Sequence, residues 1–290
     1  MTIQLSPSCP FNLDSTLCCG QTFRWDKQGD WWYGVVGDEV CKIRQNGKTL
    51  EFEGVNASFT ENYFRLHDDL PRILSQINKD KNIGAAICEF RGLRILRQEP
   101  WEGLISYICA TYKSISAIKR MLCSLSKRFG EEICLERRSF YTFPKPAKLA
   151  IAGLHELEAC GLGYRAKYVS ETAKLVCESA NSLEHLKKKT YENAKGELMD
   201  FPGVGPKVAD CVLLFSLEKL EAFPVDVWIR RVILKYYAQS FPNEFIRRMS
   251  AQESLSSSEY KKLSSFGREY FGSYAGYAQE YLYHYERTHH

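Results

Sequence analysis

The first part of the chain has the hydrophobic pattern of short β-strands. Residues 21–54 are rich in aromatic and β-branched side chains and are interrupted by turn-forming groups at 27–30, 37–38 and 46–47. Short strands separated by such turns form antiparallel meanders. The pattern therefore predicts strands at residues 21–25, 31–36, 39–44 and 49–52, with the apolar stretch 93–96 returning to the same sheet.

After residue 97 the apolar positions recur with a helical period. Pro100 suits the first position of a helix, and glycines follow several of the periodic segments. We therefore predict an α+β protein in which residues 1–97 form a small antiparallel β domain and residues 98–290 form an all-α domain. Helices are predicted at residues 101–110, 116–129, 154–160, 165–180, 191–200, 207–216, 227–237 and 258–285, the last with breaks at its glycines.

Composition argues against a membrane protein. Hydrophobic residues make up 44% of the 290 residues, and no stretch approaches the roughly 20 apolar residues that cross a bilayer. Residues 1–10 lack the pattern of a secretion signal. We expect an intracellular monomer without a membrane partner, in the cytoplasm or nucleoid of a prokaryote or in the nucleus of a eukaryote.

The eleven cysteines are scattered, and no CxxC pair occurs. Metal sites and disulfide frameworks usually show paired cysteine spacing, so reduced thiols are expected here. We predict no metal and no cofactor. The net charge of +4 arises entirely after residue 97, where 27 basic residues face 23 acidic ones, which is only a weak indication of nucleic-acid binding.

A glycine-rich turn, Pro202-Gly203-Val204-Gly205, lies between two helical patterns. Glycines allow successive backbone N–H groups to point outward, and a helix N-terminus directly behind them adds further free amides. Such a turn can hold a phosphate, so Gly203, Val204 and Gly205 are candidate DNA contacts. The alternative is an ordinary tight connection between helices.

The surroundings of this turn favour the first interpretation. Residues 198–209 resemble the helix-hairpin-helix of DNA glycosylases, and Asp226 follows Lys207 after 19 residues. The hairpin lysine with the downstream Val-Asp pair resembles the signature of the helix-hairpin-helix superfamily that carries a Gly/Pro-rich loop and a catalytic aspartate.

Two functions are open for Lys207, a phosphate contact or a nucleophile. An amine attacks a sugar C1′ only when it is unprotonated, and burial together with a helix N-terminus favours the neutral amine. The apolar neighbours Val204 and Val208 are compatible with such a site. Asp226 is predicted to cap the helix that follows it, and its charge would also stabilise the oxocarbenium character that develops as the glycosidic bond breaks.

The resemblance extends beyond the hairpin. Residues 20–25, 94–100, 161–170 and 274–279 look like the corresponding segments of eukaryotic-type 8-oxoguanine DNA glycosylases. That family is bifunctional: it removes the base and cuts the strand at the resulting abasic site. The resemblance implies that the partner is double-stranded DNA containing an oxidised purine.

The same resemblance assigns four residues to the flipped base. Gly20 would offer its carbonyl to N7–H of 8-oxoguanine, the hydrogen that guanine lacks. Gln279 would read the Watson–Crick edge, since an amide offers a donor and an acceptor. Cys211 and Tyr283 would sandwich the ring, with tyrosine where the family usually has phenylalanine.

The residues expected to contact the base opposite the lesion depart from the family pattern. Tyr112 takes the place of an asparagine that fills the gap left by the flipped nucleotide, and Ala117 that of an arginine that reads cytosine. Tyr164 and Arg165 remain as candidate DNA contacts, and Trp228 replaces a phosphate-binding histidine. Because a bidentate base contact discriminates by about 1–3 kcal/mol, we predict weak selectivity for the opposite base.

Two rival functions remain open. One is an alkylbase glycosylase on the same scaffold, which activates water and lacks a hairpin lysine. The other is a non-catalytic damaged-DNA-binding protein that uses the hairpin only to grip phosphate. The presence of Lys207 argues against the alkylbase glycosylase. A test for a covalent intermediate separates these two rivals from the glycosylase that uses Lys207 as its nucleophile.

Overall fold

The N-terminal part of the protein contains a five-stranded antiparallel sheet. The computed structural model describes residues 1–6, 8, 10–179, 183–252 and 254–289. The strand order is β1-β5-β4-β3-β2, so the predicted meander is confirmed and a short first strand is added at its edge. The strands are β1 (Thr2–Gln4), β2 (Trp25–Gln28), β3 (Trp31–Val36), β4 (Glu39–Asn46) and β5 (Thr49–Glu53).

Two details of the predicted sheet are wrong. Residues 21–24 precede the sheet rather than belonging to it, and residues 93–96 form no strand. The two segments are instead held together by the buried side chain of Gln21. Its amide donates to the carbonyl of Arg94 at 2.8 Å, and its Oε1 accepts from the N–H of Leu96 at 2.8 Å.

Four short helices that the hydrophobic pattern did not predict lie in the first 97 residues. Each begins at an asparagine or aspartate whose side chain accepts a hydrogen bond from a backbone N–H of the first turn, the usual stabilisation of a helix start. The helices are α1 (Leu13–Cys18), α2 (Ala57–Tyr63), α3 (Leu70–Ile77) and α4 (Lys81–Glu89).

The rest of the chain is helical, as predicted, apart from one hairpin. The two strands β6 (Glu132–Leu135) and β7 (Arg138–Tyr141) pair where only helix was expected. The predicted end of one helix at residue 180 lies outside the described residues. The helices are α5 (Pro100–Cys109), α6 (Ile115–Phe129), α7 (Pro146–Ile151), α8 (Leu154–Ala159), α9 (Arg165–Glu178), α10 (Tyr191–Met199), α11 (Pro206–Ser216), α12 (Val227–Tyr236), α13 (Asn243–Ala251), α14 (Ser257–Phe271) and α15 (Ala275–Thr288).

The buried side chains form two cores. The smaller core lies between the sheet, α1 and α2, and also takes in Leu96. The larger core fills the helical part, and it includes the buried faces of α3 and α4, for example Leu70 and Ile83. The N-terminal region is thus packed into the helical part, and the boundary between residues 97 and 98 stays a prediction. Among the described residues, no helix has the length and apolar character needed to span a membrane.

Candidate active site

One cavity of about 840 Å³ brings most of the predicted site residues together. It lies between the start of α11, the start of α12, α15 and the loop that joins α5 to α6. Three predicted residues, Val204, Tyr164 and Arg165, are not part of its lining. The predicted residues that line it are Gly20, Tyr112, Gly203, Gly205, Lys207, Cys211, Asp226, Gln279 and Tyr283.

The glycine turn forms a tight connection from α10 to α11. Gly203 has φ +79°, and a Cβ there would lie 2.7 Å from the ring of Tyr168, so only glycine fits. Gly205 is the N-cap of α11, and a Cβ added to it would meet nothing within 4 Å. Val204 is buried, and its N–H donates to the carbonyl of Phe201 at 3.1 Å. The turn therefore presents an open, helix-start backbone beside the cavity.

Lys207 stands in the first turn of α11, directly behind this turn. Its side chain is half-buried, and its Nζ lies 5.8 Å from the centroid of the Tyr107 ring. The neighbouring Val208 and Cys211 are buried. The amine therefore faces an aromatic ring in surroundings that are largely apolar.

Asp226 is both a helix cap and a cavity residue. Its Oδ1 accepts hydrogen bonds from the N–H groups of Trp228 at 3.0 Å and Ile229 at 2.9 Å, at the start of α12. Burial raises the pKa of Asp226, while these hydrogen bonds and the positive charge of Lys207 oppose that shift. The carboxylate is thus fixed in position and electrostatically coupled to the lysine.

A buried polar cluster fixes the segment before Asp226. The carboxylate of Asp210, fully buried in α11, accepts from the hydroxyl of Tyr260 at 2.6 Å and pairs with Lys195 Nζ at 2.8 Å. The Tyr260 oxygen accepts from the N–H of Val225 at 3.4 Å. This chain of contacts ties α11, which carries the lysine, to the residue next to Asp226.

The expected base-binding residues surround one end of the cavity. Gln279 is buried, and no hydrogen-bond partner for its Oε1 lies within the described residues. Burial raises the pKa of the Cys211 thiol to about 12, so it stays neutral and serves as a packing surface. Gly20 has φ +105°, and a Cβ there would lie 3.2 Å from Tyr283. The end of the cavity thus combines flat surfaces with one unused amide oxygen, as a planar base requires.

The residues expected near the opposite base behave differently from one another. Tyr112 is 86% exposed with φ +54°, and Tyr164 is 58% exposed. Arg165, in contrast, is only 3% exposed, and its guanidinium donates to the carbonyls of Leu162 and Thr111. It also stacks 4.3 Å from the centroid of the Tyr164 ring. In this structure Arg165 therefore positions Tyr164 instead of presenting its own donors.

Sequence reasoning missed several cavity residues. Tyr107, Glu280 and Arg287 also line the cavity. Nothing in the pattern of their helices marks them, because buried and exposed polar residues look alike in a single sequence. Within the described part of the chain, no group of three or more His, Cys, Asp or Glu residues could hold a metal ion.

Comparison with known proteins places the chain in a family. Residues 3–104 match the family model of the 8-oxoguanine DNA glycosylase N-terminal domain, and residues 105–252 match that of the HhH-GPD superfamily of base excision DNA repair proteins. The chain belongs to the 8-oxoguanine DNA glycosylase family. The second match contains Lys207 and Asp226, and the first contains Gly20.

Relatives of this 8-oxoguanine DNA glycosylase family member match over almost its whole length. The N-glycosylase/DNA lyase of Saccharomyces cerevisiae is 32% identical, over 93% of this chain and 82% of the relative. A solved structure of MBOgg1 in complex with a low-affinity DNA ligand has a TM-score of 0.89 and 32% identity, covering 99% of this chain and 95% of that one. The Clostridium acetobutylicum 8-oxoguanine glycosylase/lyase, solved with double-stranded DNA containing cytosine opposite 8-oxoguanine, has a TM-score of 0.87 and 32% identity over 96% of this chain and 92% of that one.

Proposed function

We propose that the protein is a bifunctional DNA glycosylase and abasic-site lyase that excises 8-oxoguanine from duplex DNA. The observation that carries the proposal is the placement of Lys207 and Asp226 in one cavity with the unpartnered Oε1 of Gln279. These three groups supply a nucleophile, an anion and a base reader. The names of the relatives are consistent with the same chemistry.

The reaction begins with base flipping. The helix-start backbone at Gly203 and Gly205 holds a phosphate, and the lesion base leaves the stack and enters between Cys211 and Tyr283. The Gly20 carbonyl accepts N7–H, which selects 8-oxoguanine over guanine. Flat apolar walls accept any purine, so this single acceptor provides the discrimination.

Lys207 and Asp226 together cleave the glycosidic bond. The neutral amine of Lys207 attacks C1′ and the glycosidic bond breaks, so the base leaves with the bonding electrons. Asp226 stabilises the positive charge that develops on the sugar. One amine proton neutralises the departing base, and the other passes to O4′ as the sugar ring opens, which leaves a Schiff base between Lys207 and C1′. Loss of a C2′ proton then expels the 3′ phosphate, and this β-elimination cuts the strand on its 3′ side.

Recognition of the opposite base is weak in this proposal. Ala117 has no hydrogen-bonding side chain where the family has an arginine, and the exposed rings of Tyr112 and Tyr164 are suited to filling the gap rather than to reading an edge. The guanidinium of Arg165 stacks on the ring of Tyr164 and holds it in place. We propose a monomer that acts on double-stranded DNA inside the cell, in the nucleoid or the nucleus, without cofactor, metal or membrane partner.

Reduction by borohydride tests the mechanism. We expect the native protein to become covalently attached to DNA that contains 8-oxoguanine, and Lys207→Gln to give no adduct. Lys113→Gln is the matched control, because Lys113 is the other lysine of the described residues that line the cavity. An adduct with Lys207→Gln but none with Lys113→Gln would show that Lys113, and not Lys207, is the nucleophile.

The rival functions give different results in the same assay. An alkylbase glycosylase that activates water would release an alkylated base without any adduct. A non-catalytic damage-binding protein would shift the mobility of lesion DNA without releasing a base or cutting a strand. Either pattern from the native protein rejects the proposal.

A further inference from the structure

A buried carboxyl group with no role in the proposed reaction lies in the base pocket. This pocket is the end of the cavity formed by Gly20, Cys211, Gln279 and Tyr283. Glu280 follows Gln279 in α15, lines the cavity and is 2% exposed. Its Oε1 has no hydrogen-bond partner within the described residues, and neither has the Oε1 of Gln279. Two adjacent side chains of one helix thus bring unused acceptors to the same pocket.

Glu280 differs from the other buried glutamates of the described residues. Glu286 in α15 pairs with Lys235 at 3.3 Å, and Glu259 in α14 pairs with Arg248 at 2.8 Å. A buried carboxyl without a cation is costly unless it becomes neutral or finds other partners. For a glutamate with a purely structural role, a basic partner like those of Glu286 and Glu259 would be expected.

The surroundings of Glu280 favour its neutral form. Burial raises its pKa to about 7, and the nearby charge of Asp226 acts in the same direction. A contact with the Cys19 thiol and the charge of Arg287 oppose this shift. The titratable and charged groups around it are Cys19 after α1, Tyr107 in α5, Lys207 and Cys211 in α11, Asp226 at the start of α12, and Tyr283 and Arg287 in α15.

We propose that Glu280 is a second polar contact to the flipped base, and that only its protonated form makes this contact. A neutral carboxyl accepts through one oxygen and donates through the other. It therefore matches a purine edge on which an N–H stands beside a carbonyl, as in 8-oxoguanine. A carboxylate would lose the donor and would bring a second anion near Asp226. The inference rests on the proposed function and adds a base-binding residue to it.

The ratio of two excision rates isolates this contact. Single-turnover release of 8-oxoguanine is measured for the native protein and for Glu280→Gln from about pH 6 to about pH 8. Glutamine keeps the shape, the donor and the acceptor at every pH, and groups that titrate alike in both proteins cancel in the ratio. We expect the native rate to fall about tenfold relative to that of Glu280→Gln across this range, as one carboxyl with a pKa near 7 loses its proton.

Two further variants complete the design. Glu280→Leu removes both hydrogen bonds and should lower excision about tenfold at about pH 6. Glu269→Gln changes an exposed glutamate of α14 and should follow the native pH profile. A ratio that stays constant with pH, or a Glu280→Leu protein as active as the native one, overturns the proposal.

A substrate without a base provides an independent measurement on the native protein. On a preformed abasic site no base enters the pocket, while Lys207 acts in both reactions. For the native protein, the ratio of the excision rate to the rate of abasic-site cleavage should therefore fall about tenfold from about pH 6 to about pH 8. A ratio that stays constant overturns the proposal even if Glu280→Gln does not fold. Absence of any borohydride adduct at the abasic site would instead reject the proposed Lys207 chemistry, so the two failures are distinguishable.

Discussion

Gly20 lies against Tyr283 so closely that a Cβ added to the glycine would come within 3.2 Å of the tyrosine hydroxyl and ring. The glycine also has φ +105°, a conformation that other residues adopt only with strain. The contact joins a segment near the start of the chain to α15. Gly20, which is expected to select the lesion, therefore lies in direct contact with Tyr283, which is expected to stack on it.

Gly20→Ala should lower the single-turnover rate of 8-oxoguanine excision by about tenfold or more, because both the carbonyl and Tyr283 must shift. Gly29→Ala is the matched control. Gly29 also has positive φ, +60°, but a Cβ there meets nothing within 4 Å. Both variants should lose about 1 kcal/mol of stability through backbone strain, measured by denaturant unfolding. Equal excision rates in the two variants would contradict a role of Gly20 in the pocket.

Asp226→Asn separates the two functions of this residue. Asparagine is as good a helix cap as aspartate, so the melting temperature should change little. The negative charge is lost, and excision should fall about 100-fold or more. Asp69→Asn, at the cap of α3, is the control and should leave excision unchanged. If Asp226→Asn loses stability and activity in proportion, the aspartate is only a cap.

The identity of residue 117 should set the selectivity for the opposite base. We expect the native protein to release 8-oxoguanine opposite each of the four bases at rates within about tenfold of one another. Ala117→Arg, on the half-buried face at the start of α6, should raise the preference for cytosine about tenfold by restoring a hydrogen-bonding side chain. Ala117→Leu controls for size alone. A strict cytosine requirement in the native protein would contradict the prediction.

Stability at acidic pH should depend on His284. Burial lowers the pKa of this histidine to about 4, and its ring lies 4.2 Å from that of Phe90. Since the unfolded chain binds a proton near pH 6.5, the protein should lose stability as the pH falls from about 6.5 towards 4. His284→Phe should reduce this loss in urea unfolding between about pH 7 and pH 5. His67→Phe, at an exposed histidine, should not.

The sheet and the long helices could be predicted because their signals are local. The turn at Asn46-Gly47 and the helical period around Lys207 are visible in short windows of sequence. The strand β1 has only three residues and pairs with β5 almost fifty positions away, so no window contains its partner. The hairpin of β6 and β7 turns at Glu136 and Arg137, which both have positive φ without being glycine or asparagine.

Some residues of the candidate site could be predicted from the sequence, and others could not. The motif that contains Lys207 and Asp226 is local, and the resemblance supplied Gly20, Gln279 and Tyr283. The burial of Arg165 beneath Tyr164 could not be predicted, because an arginine after a tyrosine looks the same whether it faces solvent or the core. Glu280 was missed for the same reason, since its burial depends on how α15 packs against distant parts of the chain.

The packing of α15 against the segment around Gly20 also has a consequence for biosynthesis. During translation Lys207 and Asp226 leave the ribosome before Gln279 and Tyr283, so a nascent chain carries Lys207 while one wall of the cavity is still missing. The cavity is complete only when α15 has been synthesised and has packed against the segment around Gly20.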